Sequence, residues 1–192
     1  MAKVYEIRWH GRGGQGAKTA ALLFGDACMA TGKYFQAFPE YGPERMGAPV
    51  RAYDRLSDEP IDVHCGITTP NVVIVLDPTL VETQNVTEGL QPDGIFLMNT
   101  PEDPKQVKAR LGLKTQKVYT VDASTIAREC IGREIPNTPM LGALVRATKI
   151  IELETLLKFV RERLLEKFRD KKEVIEGNLK SIERAYNETK EA

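Results

Sequence analysis

Hydrophobic positions along this chain follow two different periods, and the change between periods predicts where strands give way to helices. A continuous apolar run at 72–76 is typical of a strand that is covered on both faces, 94–99 repeats this pattern, and 117–121 predicts another strand. Between these strands, short helices are predicted from about residue 80 and over 105–111, and a further one over 124–130 follows the last strand. Strands that alternate with helices in this way predict an α/β fold built on a doubly wound, mostly parallel sheet.

The first third of the chain adds further strands to this sheet. Residues 5–10 form a short strand that leads into a glycine-rich stretch, and residues 34–38 predict a second strand. Residues 50–55 alternate as a half-exposed strand does. After a turn at 58–60, residues 61–64 resemble a return strand. We therefore expect a β-hairpin insertion made of these last two strands.

The last third of the chain is predicted to be helical. A short apolar helix covers 139–148, with Asn137 or Thr138 as its candidate N-cap. Residues 152–168 and 175–186 carry apolar side chains at helical spacing. We interpret these stripes as core or subunit contacts, with the intervening charges facing solvent.

Length and composition fit one domain over residues 1–192, with a sheet-containing core at 1–135 and a helical C-terminal part at 136–192. Lys plus Arg and Asp plus Glu both total 27, so no basic excess indicates nucleic-acid binding. No apolar run reaches the roughly 18 residues of a membrane span, and the N-terminus has no charged-then-apolar leader. We therefore expect a cytoplasmic protein without membrane contact.

The stretch after the first strand carries the clearest chemical motif. Gly11, Gly13 and Gly16 fit the G-x-G-x-x-G spacing between a strand and a helix predicted from 15 to about 30, giving a Rossmann-like start. Glycines permit the positive φ of a tight turn, and the free N–H groups of the helix start can face an anion. The candidate cofactor-binding residues are Gly11, Arg12, Gly13, Gly14, Gln15 and Gly16. The alternative is a tight turn that joins strand and helix with nothing bound.

One part of an ordinary NAD site is missing. That site needs an acidic residue at the end of the second strand, about 20 residues past the glycines, to hold the ribose. Gln36 is neutral, and Glu40 lies beyond Pro39. The loop is therefore predicted to accept a phosphate without forming a typical NAD site. A stand-alone NAD(P)-binding enzyme and a bare binding module for an acyl-CoA or nucleotide remain as alternatives.

A second irregular stretch follows the second strand. Three prolines and two glycines between 38 and 49 exclude a regular element. Tyr41, Arg45 and Met46 are residue types that are favoured in interface cores. The stretch fits either a partner-binding loop or a solvated Pro/Gly loop.

No catalytic or metal-binding set emerges from the remaining polar residues. Cys28, Cys65 and Cys130 are widely separated and form neither a disulfide framework nor a C-x-x-C pattern, so the chain alone cannot hold a four-cysteine iron–sulfur cluster. Asp77 and Asn99 follow strands and should share one sheet edge with the glycine-rich turn. We interpret both as turn or helix-cap residues rather than ligand contacts.

Several short stretches together carry a family resemblance. They are HGRGGQGA at 10–17, QAFP at 36–39, PER at 43–45, GAPV at 47–50, DPTL at 77–80, VTEGL at 86–90, VDA at 121–123 and NT at 137–138. In this order they resemble the gamma subunit of the 2-oxoacid:ferredoxin oxidoreductases, above all the pyruvate synthase type. Met46 departs from the arginine expected there, so an enzyme for a branched-chain or aryl oxoacid is an alternative.

The resemblance implies an oxidoreductase complex that decarboxylates a 2-oxoacid, with pyruvate as first choice, to acyl-CoA and CO₂. In this family the alpha and beta subunits hold thiamine diphosphate with Mg²⁺. 4Fe-4S clusters of the beta and delta subunits pass electrons to ferredoxin or another acceptor. The gamma subunit packs against the others and helps to shape the coenzyme A side of the site, so this chain is expected to be inactive alone.

Mapped onto this sequence, the resemblance places residues 11–16 near coenzyme A. Arg12 and Arg45 are the residues best able to meet a phosphate or carboxylate. The resemblance makes the loop after the second strand a subunit contact. Its predicted interface residues are Tyr41, Gly42, Pro43, Glu44, Arg45, Met46 and Gly47.

Overall fold

Strands and helices alternate through most of the chain, in a computed structural model that describes residues 4–40, 47–169 and 171–192. The strands are β1 (Tyr5–Arg12), β2 (Tyr34–Glu40), β3 (Pro49–Ser57), β4 (Val72–Val75), β5 (Ile95–Asn99), β6 (Lys117–Val121) and β7 (Lys190–Glu191). The helices are α1 (Ala17–Met29), α2 (Leu80–Thr83), α3 (Pro104–Arg110), α4 (Ala123–Ile131), α5 (Asn137–Thr148), α6 (Leu153–Phe168) and α7 (Lys172–Glu188).

All these strands lie in one sheet, in the order β2-β3-β1-β4-β5-β6-β7. The central strands β1, β4, β5 and β6 pair in parallel. β3 is antiparallel to both β1 and β2, and β7 is antiparallel to β6. Only β3 and β7 therefore run against the common direction. The predicted α/β fold with a mostly parallel sheet is confirmed.

Helices cover both faces of the sheet, as the doubly wound architecture requires. β4 shows the consequence, because Val72 and Ile74 join one core while Val73 and Val75 join the other. The larger core lies beneath α1, α4, α5, α6 and α7, and the smaller one beneath α2 and α3. The continuous apolar run of β4 is explained by this double burial.

The β-hairpin predicted from residues 50–55 and 61–64 is wrong. β3 already pairs with β2 on one side and β1 on the other, so it has no free edge for a return strand. Residues 61–64 have no regular structure, and the Arg55 side chain donates to the backbone oxygens of Val63 and Cys65 at 3.3 and 2.7 Å. The hairpin in this fold consists of β2 and β3.

Element ends differ from the sequence predictions at two helices. α1 begins at Ala17, after Gly16 in a left-handed conformation, rather than at Gln15. α5 begins at Asn137 with Pro136 as its N-cap, so the proposed Asn137 or Thr138 cap is wrong. β7 was not predicted, because two residues carry too little pattern to identify a strand.

Candidate functional site

The glycine-rich turn lies at the carboxyl edge of the parallel strands, between β1 and α1. Gly14 and Gly16 have φ values of 98° and 80°, in the region that favours glycine. The backbone N–H of Gly13 donates to the Ala48 oxygen at 2.9 Å, and that of Gly47 donates to the Gly13 oxygen at 3.2 Å. The turn is therefore hydrogen-bonded to the chain that enters β3.

Two of the motif's glycines also allow close packing. A Cβ at Gly16 would lie 2.6 Å from Asn137 Nδ2, at the start of α5. A Cβ at Gly11 would lie 3.3 Å from Leu76 Cδ1, next to β4. The turn thus brings β1, β4, α1 and α5 together. This packing is the structural role expected of a tight turn that joins strand and helix with nothing bound.

Arg12 ties this turn to two neighbouring segments. Its Nε donates to Asp77 Oδ2 at 3.1 Å, Nη1 to the Gly47 oxygen at 3.2 Å and Nη2 to Thr79 Oγ1 at 2.8 Å. Gln15 Nε2 donates to the same Asp77 oxygen at 2.7 Å. The carboxylate that Arg12 contacts here belongs to the protein itself, and a role of residues 11–16 in ligand binding stays a prediction.

Asp77 is held as a carboxylate by its surroundings. Burial acts to raise its pKa, but hydrogen bonds from Thr79 and Gln15 and the charge of Arg12 outweigh burial and lower the pKa below its usual value. Asp77 Oδ1 accepts from Thr79 N at 3.0 Å, which is a turn closed by an aspartate side chain. The interpretation of Asp77 as a turn residue is confirmed.

Asn99 connects two strands and a helix at the same edge. Its Nδ2 donates to the Leu76 oxygen at 2.8 Å and to Ser124 Oγ at 2.9 Å, and its Oδ1 accepts from Ser124 N at 3.1 Å. Ser124 lies in the first turn of α4, so Asn99 satisfies an amide of that helix start. The N-cap residue of α4 is Asp122, whose Oδ1 accepts from Thr125 N at 3.1 Å, so Asn99 supports this helix start from a neighbouring strand and is not its cap residue.

The predicted interface loop is described only at its end. Tyr41, Gly42, Pro43, Glu44, Arg45 and Met46 lie outside the described residues. Gly47 is exposed, has a φ of 92° and belongs to the hydrogen-bonded contact with the glycine-rich turn. Whether this loop contacts a partner stays a prediction.

The residues near the turn fit an anionic group in part, but they do not fit a metal or cluster. Gly16 has no side chain that could cap α1, and a helix start of this kind is a place where an anionic group can bind. Among the residues described, no three His, Cys, Asp or Glu side chains lie close enough to hold a metal ion. Cys28 is buried, which raises its pKa to about 12 and leaves an unreactive thiol.

Sequence reasoning missed a buried polar cluster on the face of β1 opposite α1. Arg8 Nε donates to His10 Nε2 at 3.0 Å, and Arg8 Nη2 donates to the backbone oxygens of Val86 and Glu88 at 3.1 and 2.5 Å. Burial, together with the charges of Arg8 and Arg51, lowers the His10 pKa to about 3. The sequence does carry a signal for this cluster: in β1, polar Arg8 and His10 alternate with apolar residues, which places both polar side chains on one face of the strand.

The sheet order also separates this fold from an ordinary NAD-binding domain. In that domain the second strand lies next to the first, so that its terminal acidic residue reaches the ribose. Here β3 lies between β1 and β2. Glu40 at the end of β2 accepts a hydrogen bond from the Tyr53 hydroxyl. The geometry therefore counts against the NAD(P) alternative.

No helix within the described ranges is long and apolar enough to cross a membrane. This finding agrees with the absence of a long apolar run in the sequence.

Comparisons with known proteins identify the family. Residues 6–188 match the sequence profile of the pyruvate ferredoxin/flavodoxin oxidoreductase family. The chain is 48% identical to the pyruvate synthase subunit PorC of Thermotoga maritima, over 98% of this chain and 96% of that one. It is 44% identical to the common gamma subunit of the pyruvate/ketoisovalerate oxidoreductases of Pyrococcus abyssi, over 96% of each chain.

A solved structure agrees with the sequence comparisons. The crystal structure of the pyruvate oxidoreductase subunit PORC from Thermotoga maritima has a TM-score of 0.86 and 46% identity, and the match covers 99% of each chain. Fold and sequence therefore agree over almost the whole length. This chain belongs to the pyruvate ferredoxin/flavodoxin oxidoreductase family.

Proposed function

We propose that this chain is the gamma subunit of a pyruvate:ferredoxin oxidoreductase complex, which converts pyruvate and coenzyme A to acetyl-CoA and CO₂. One observation carries the proposal: 48% identity to a pyruvate synthase subunit over 98% of this chain and 96% of the relative. The match spans a whole separate subunit rather than a fragment. The lack of a catalytic set among the described residues fits a subunit that supports chemistry elsewhere.

A branched-chain 2-oxoacid is the second candidate substrate. The Pyrococcus abyssi relative, 44% identical, is named as a subunit common to pyruvate and ketoisovalerate oxidoreductases. A gamma subunit of that kind serves two catalytic partners, so its own residues do not select the oxoacid. Met46, where the resemblance leads us to expect arginine, is a further reason to test a second oxoacid.

The proposed complex contains alpha, beta and delta partners or fusions of them. When bound in those partners, thiamine diphosphate with Mg²⁺ supplies the decarboxylation chemistry, and 4Fe-4S clusters carry electrons to ferredoxin. This chain's own part is to bind and orient. The uncapped start of α1 and the exposed Gly14 support a position of residues 11–16 beside the anionic part of coenzyme A.

The proposal also places the complex in the cytoplasm. The described cysteines form no disulfide bonds. Cys28 is buried, Cys130 is half-buried and Cys65 is exposed. Unpaired cysteines are typical of a reducing compartment.

Native anaerobic purification through a tag on this chain tests the proposal. We expect larger subunits, thiamine diphosphate and iron to copurify, with pyruvate-dependent reduction of a redox dye that requires coenzyme A. The same sample assayed with 3-methyl-2-oxobutanoate decides between the two substrates. Recovery of a single stable chain without cofactors or activity would contradict the proposal.

A further inference from the structure

The β2 edge of the sheet carries a row of backbone groups that can pair with another strand. Within the described part of the chain, β2 is the first strand in the sheet order and pairs with β3 alone, over its whole length. Edge strands of monomeric proteins usually carry charged side chains, above all lysine, which oppose further pairing. Residues 34–39 contain no charged residue, and all of them except exposed Tyr34 are half-buried.

The proline in β2 indicates which backbone groups face outward. Pro39 pairs with Ala52 and has no N–H to donate, and an edge strand accommodates proline where that position faces away from the neighbouring strand. Residues two positions apart face the same side of an antiparallel pair. The N–H and C=O groups of Phe35 and Ala37 therefore face the outer edge.

Helix α1 extends this edge with exposed apolar side chains. α1 packs across β2 and β3, and a Cβ at Gly25 would overlap the Phe35 ring. Leu22 and Met29 are three residues before and four after Gly25, so they lie on the same side of the helix. They are 40% and 54% exposed. Leu22, Met29, Phe35 and Ala37 thus form one continuous apolar surface, here called the β2 edge surface.

The position of α1 leaves the right space for a second copy of this surface. Because α1 packs over both β2 and β3, its axis lies about 2.4 Å inside β2, which is half a strand spacing. If β2 pairs with β2 of a second copy, the two α1 helices are about 10 Å apart, or two strand spacings. Packed helices are separated by about 8–10 Å. Strand pairing and helix packing are therefore compatible in one dimer.

The ends of β2 favour antiparallel pairing of two copies. Lys33 precedes the strand, and Glu40 ends it. Antiparallel pairing brings each of these charges near the opposite charge of the second copy, whereas parallel pairing would bring like charges together. Lys33 also contacts exposed Asp58 of its own chain at 2.8 Å. With Ala37 at the centre, the Tyr34 hydroxyl faces Glu40 of the second copy and can donate to its carboxylate.

We propose that the β2 edge surface binds a second copy of this chain, related by a twofold axis that passes beside Ala37. A twofold axis requires a surface that is complementary to itself, and the features above meet that requirement. The proposal goes beyond the proposed function and does not depend on it.

Leu22 lies close to this axis. α1 begins at the carboxyl edge of the sheet and runs antiparallel to β2, with Gly25 over Phe35. Leu22 is about 4.5 Å nearer the carboxyl edge than Gly25, and Ala37 is about 7 Å nearer that edge than Phe35. The Leu22 side chains of the two copies therefore meet beside the axis.

Sedimentation of the full chain over a range of concentrations tests the proposal, and we expect a concentration-dependent dimer. Leu22→Glu should weaken dimerisation about a hundredfold or more, because two like charges would meet beside the axis. Leu165→Glu is the matched control, since Leu165 is 45% exposed on α6, outside the β2 edge surface, and should leave dimerisation unchanged. A monomeric wild-type chain, or equal weakening by both folded variants, would overturn the proposal.

Disulfide cross-linking tests the register and the occupant. Ala37→Cys, in a Cys65→Ser background, places two thiols at facing positions, where Cα atoms about 5.5 Å apart allow a disulfide. We expect mild oxidation to give a covalent dimer of this chain, both alone and in the natively purified assembly. Thr19→Cys, exposed elsewhere on α1, is the control and should not cross-link. Equal cross-linking of both variants, or a link from Ala37→Cys to a different protein, would refute the assignment.

Discussion

At the scale of single residues, the structure places an acid inside the apolar core. Asp54 is fully buried on β3, and its Oδ2 accepts from Trp9 Nε1 at 2.7 Å. Its Oδ1 has no hydrogen-bond partner among the described residues. Burial raises the pKa of Asp54 well above its usual value, despite the opposing hydrogen bond from Trp9. The folded protein therefore holds this carboxyl in its protonated form to a higher pH than the unfolded chain does.

This pKa shift predicts how Asp54→Asn changes stability with pH. Because the folded state holds the proton more tightly, wild-type stability falls as pH rises above the unfolded pKa of about 3.9. Asparagine has no proton to lose and still offers Trp9 an acceptor. We expect the unfolding free energy of the variant, relative to wild type, to increase steadily from pH 4.5 to 7.5 in urea titrations.

The exposed carboxylate of Asp62 provides a charge-matched control. Asp62→Asn should change the unfolding free energy by a few tenths of a kcal/mol or less across the same pH range, as is usual for surface substitutions. A difference between Asp54→Asn and wild type that stays constant with pH would contradict a protonated Asp54.

Residue-scale chemistry was predictable where it is local. Asp77 was correctly interpreted, because its turn hydrogen bond joins it to Thr79, two residues further on. Asn99 reaches Ser124, 25 positions away, so its contacts depend on the fold. The partners of His10 and Asp54 were not predictable. Trp9 and Asp54 are 45 positions apart in sequence and meet only because β1 pairs with β3.

At the scale of elements, α5 and α7 pack with their backbones close together. Gly142 lies in α5, and a Cβ there would lie well inside van der Waals distance of the Ile182 carbonyl oxygen in α7. That atom belongs to a helix backbone and cannot turn aside as a flexible side chain can. The glycine therefore sets the separation between these two helices.

Gly142→Ala should destabilise the protein by about 2 kcal/mol, because forcing a methyl group into a packed helix contact costs about 1–3 kcal/mol or more. The loss would appear although alanine favours helices over glycine by about 1 kcal/mol. Urea titration measures it. Lys180→Ala, at an exposed position of α7, is the control and should change stability by under about 0.5 kcal/mol. Equal stability of both variants would exclude the close contact.

Strands and helices with strong periodicity were predicted well. β6 was predicted at its observed bounds, and the predicted runs for β4 and β5 are each one residue longer than those strands. The helix that forms α1 was predicted, but two of its large apolar side chains, Leu22 and Met29, are 40% and 54% exposed. The hairpin failed because strand pairing depends on which edges are free, and that is a property of the whole sheet.

At the scale of the whole molecule, Arg12 joins three separate parts of the chain. It connects the β1–α1 turn to Gly47 before β3 and to Asp77 and Thr79 after β4. The ion pair is partly exposed, with side-chain exposures of 30% for Arg12 and 13% for Asp77. This ion pair is therefore expected to contribute only modestly to the free energy of unfolding. Its larger effect is expected on the local ordering of the β1–α1 turn.

Arg12→Lys tests this connection, because lysine keeps the charge but lacks the planar fork that reaches three acceptors. We expect amide hydrogen exchange of residues 13–16 and 47–48 to accelerate about tenfold, the factor that corresponds to loss of one hydrogen bond to a charged group. Hydrogen-exchange mass spectrometry measures this. Arg128→Lys, in an exposed pair with Glu134, should leave the same amides unchanged. Unaltered amide exchange in the Arg12→Lys variant would show that Arg12 does not order the turn.

The sequence by itself determined the α/β class, the position of the glycine-rich turn and the family resemblance, because each depends on local period or on short stretches in a set order. Tertiary structure decided what those residues contact. It inserted β3 between β1 and β2, engaged Arg12 with Asp77, and enclosed His10 and Asp54 on opposite faces of the sheet. These outcomes depend on strand pairing and burial between segments that are far apart in sequence. Such contacts contribute to stability only when the sheet has formed, so local sequence patterns do not predict them.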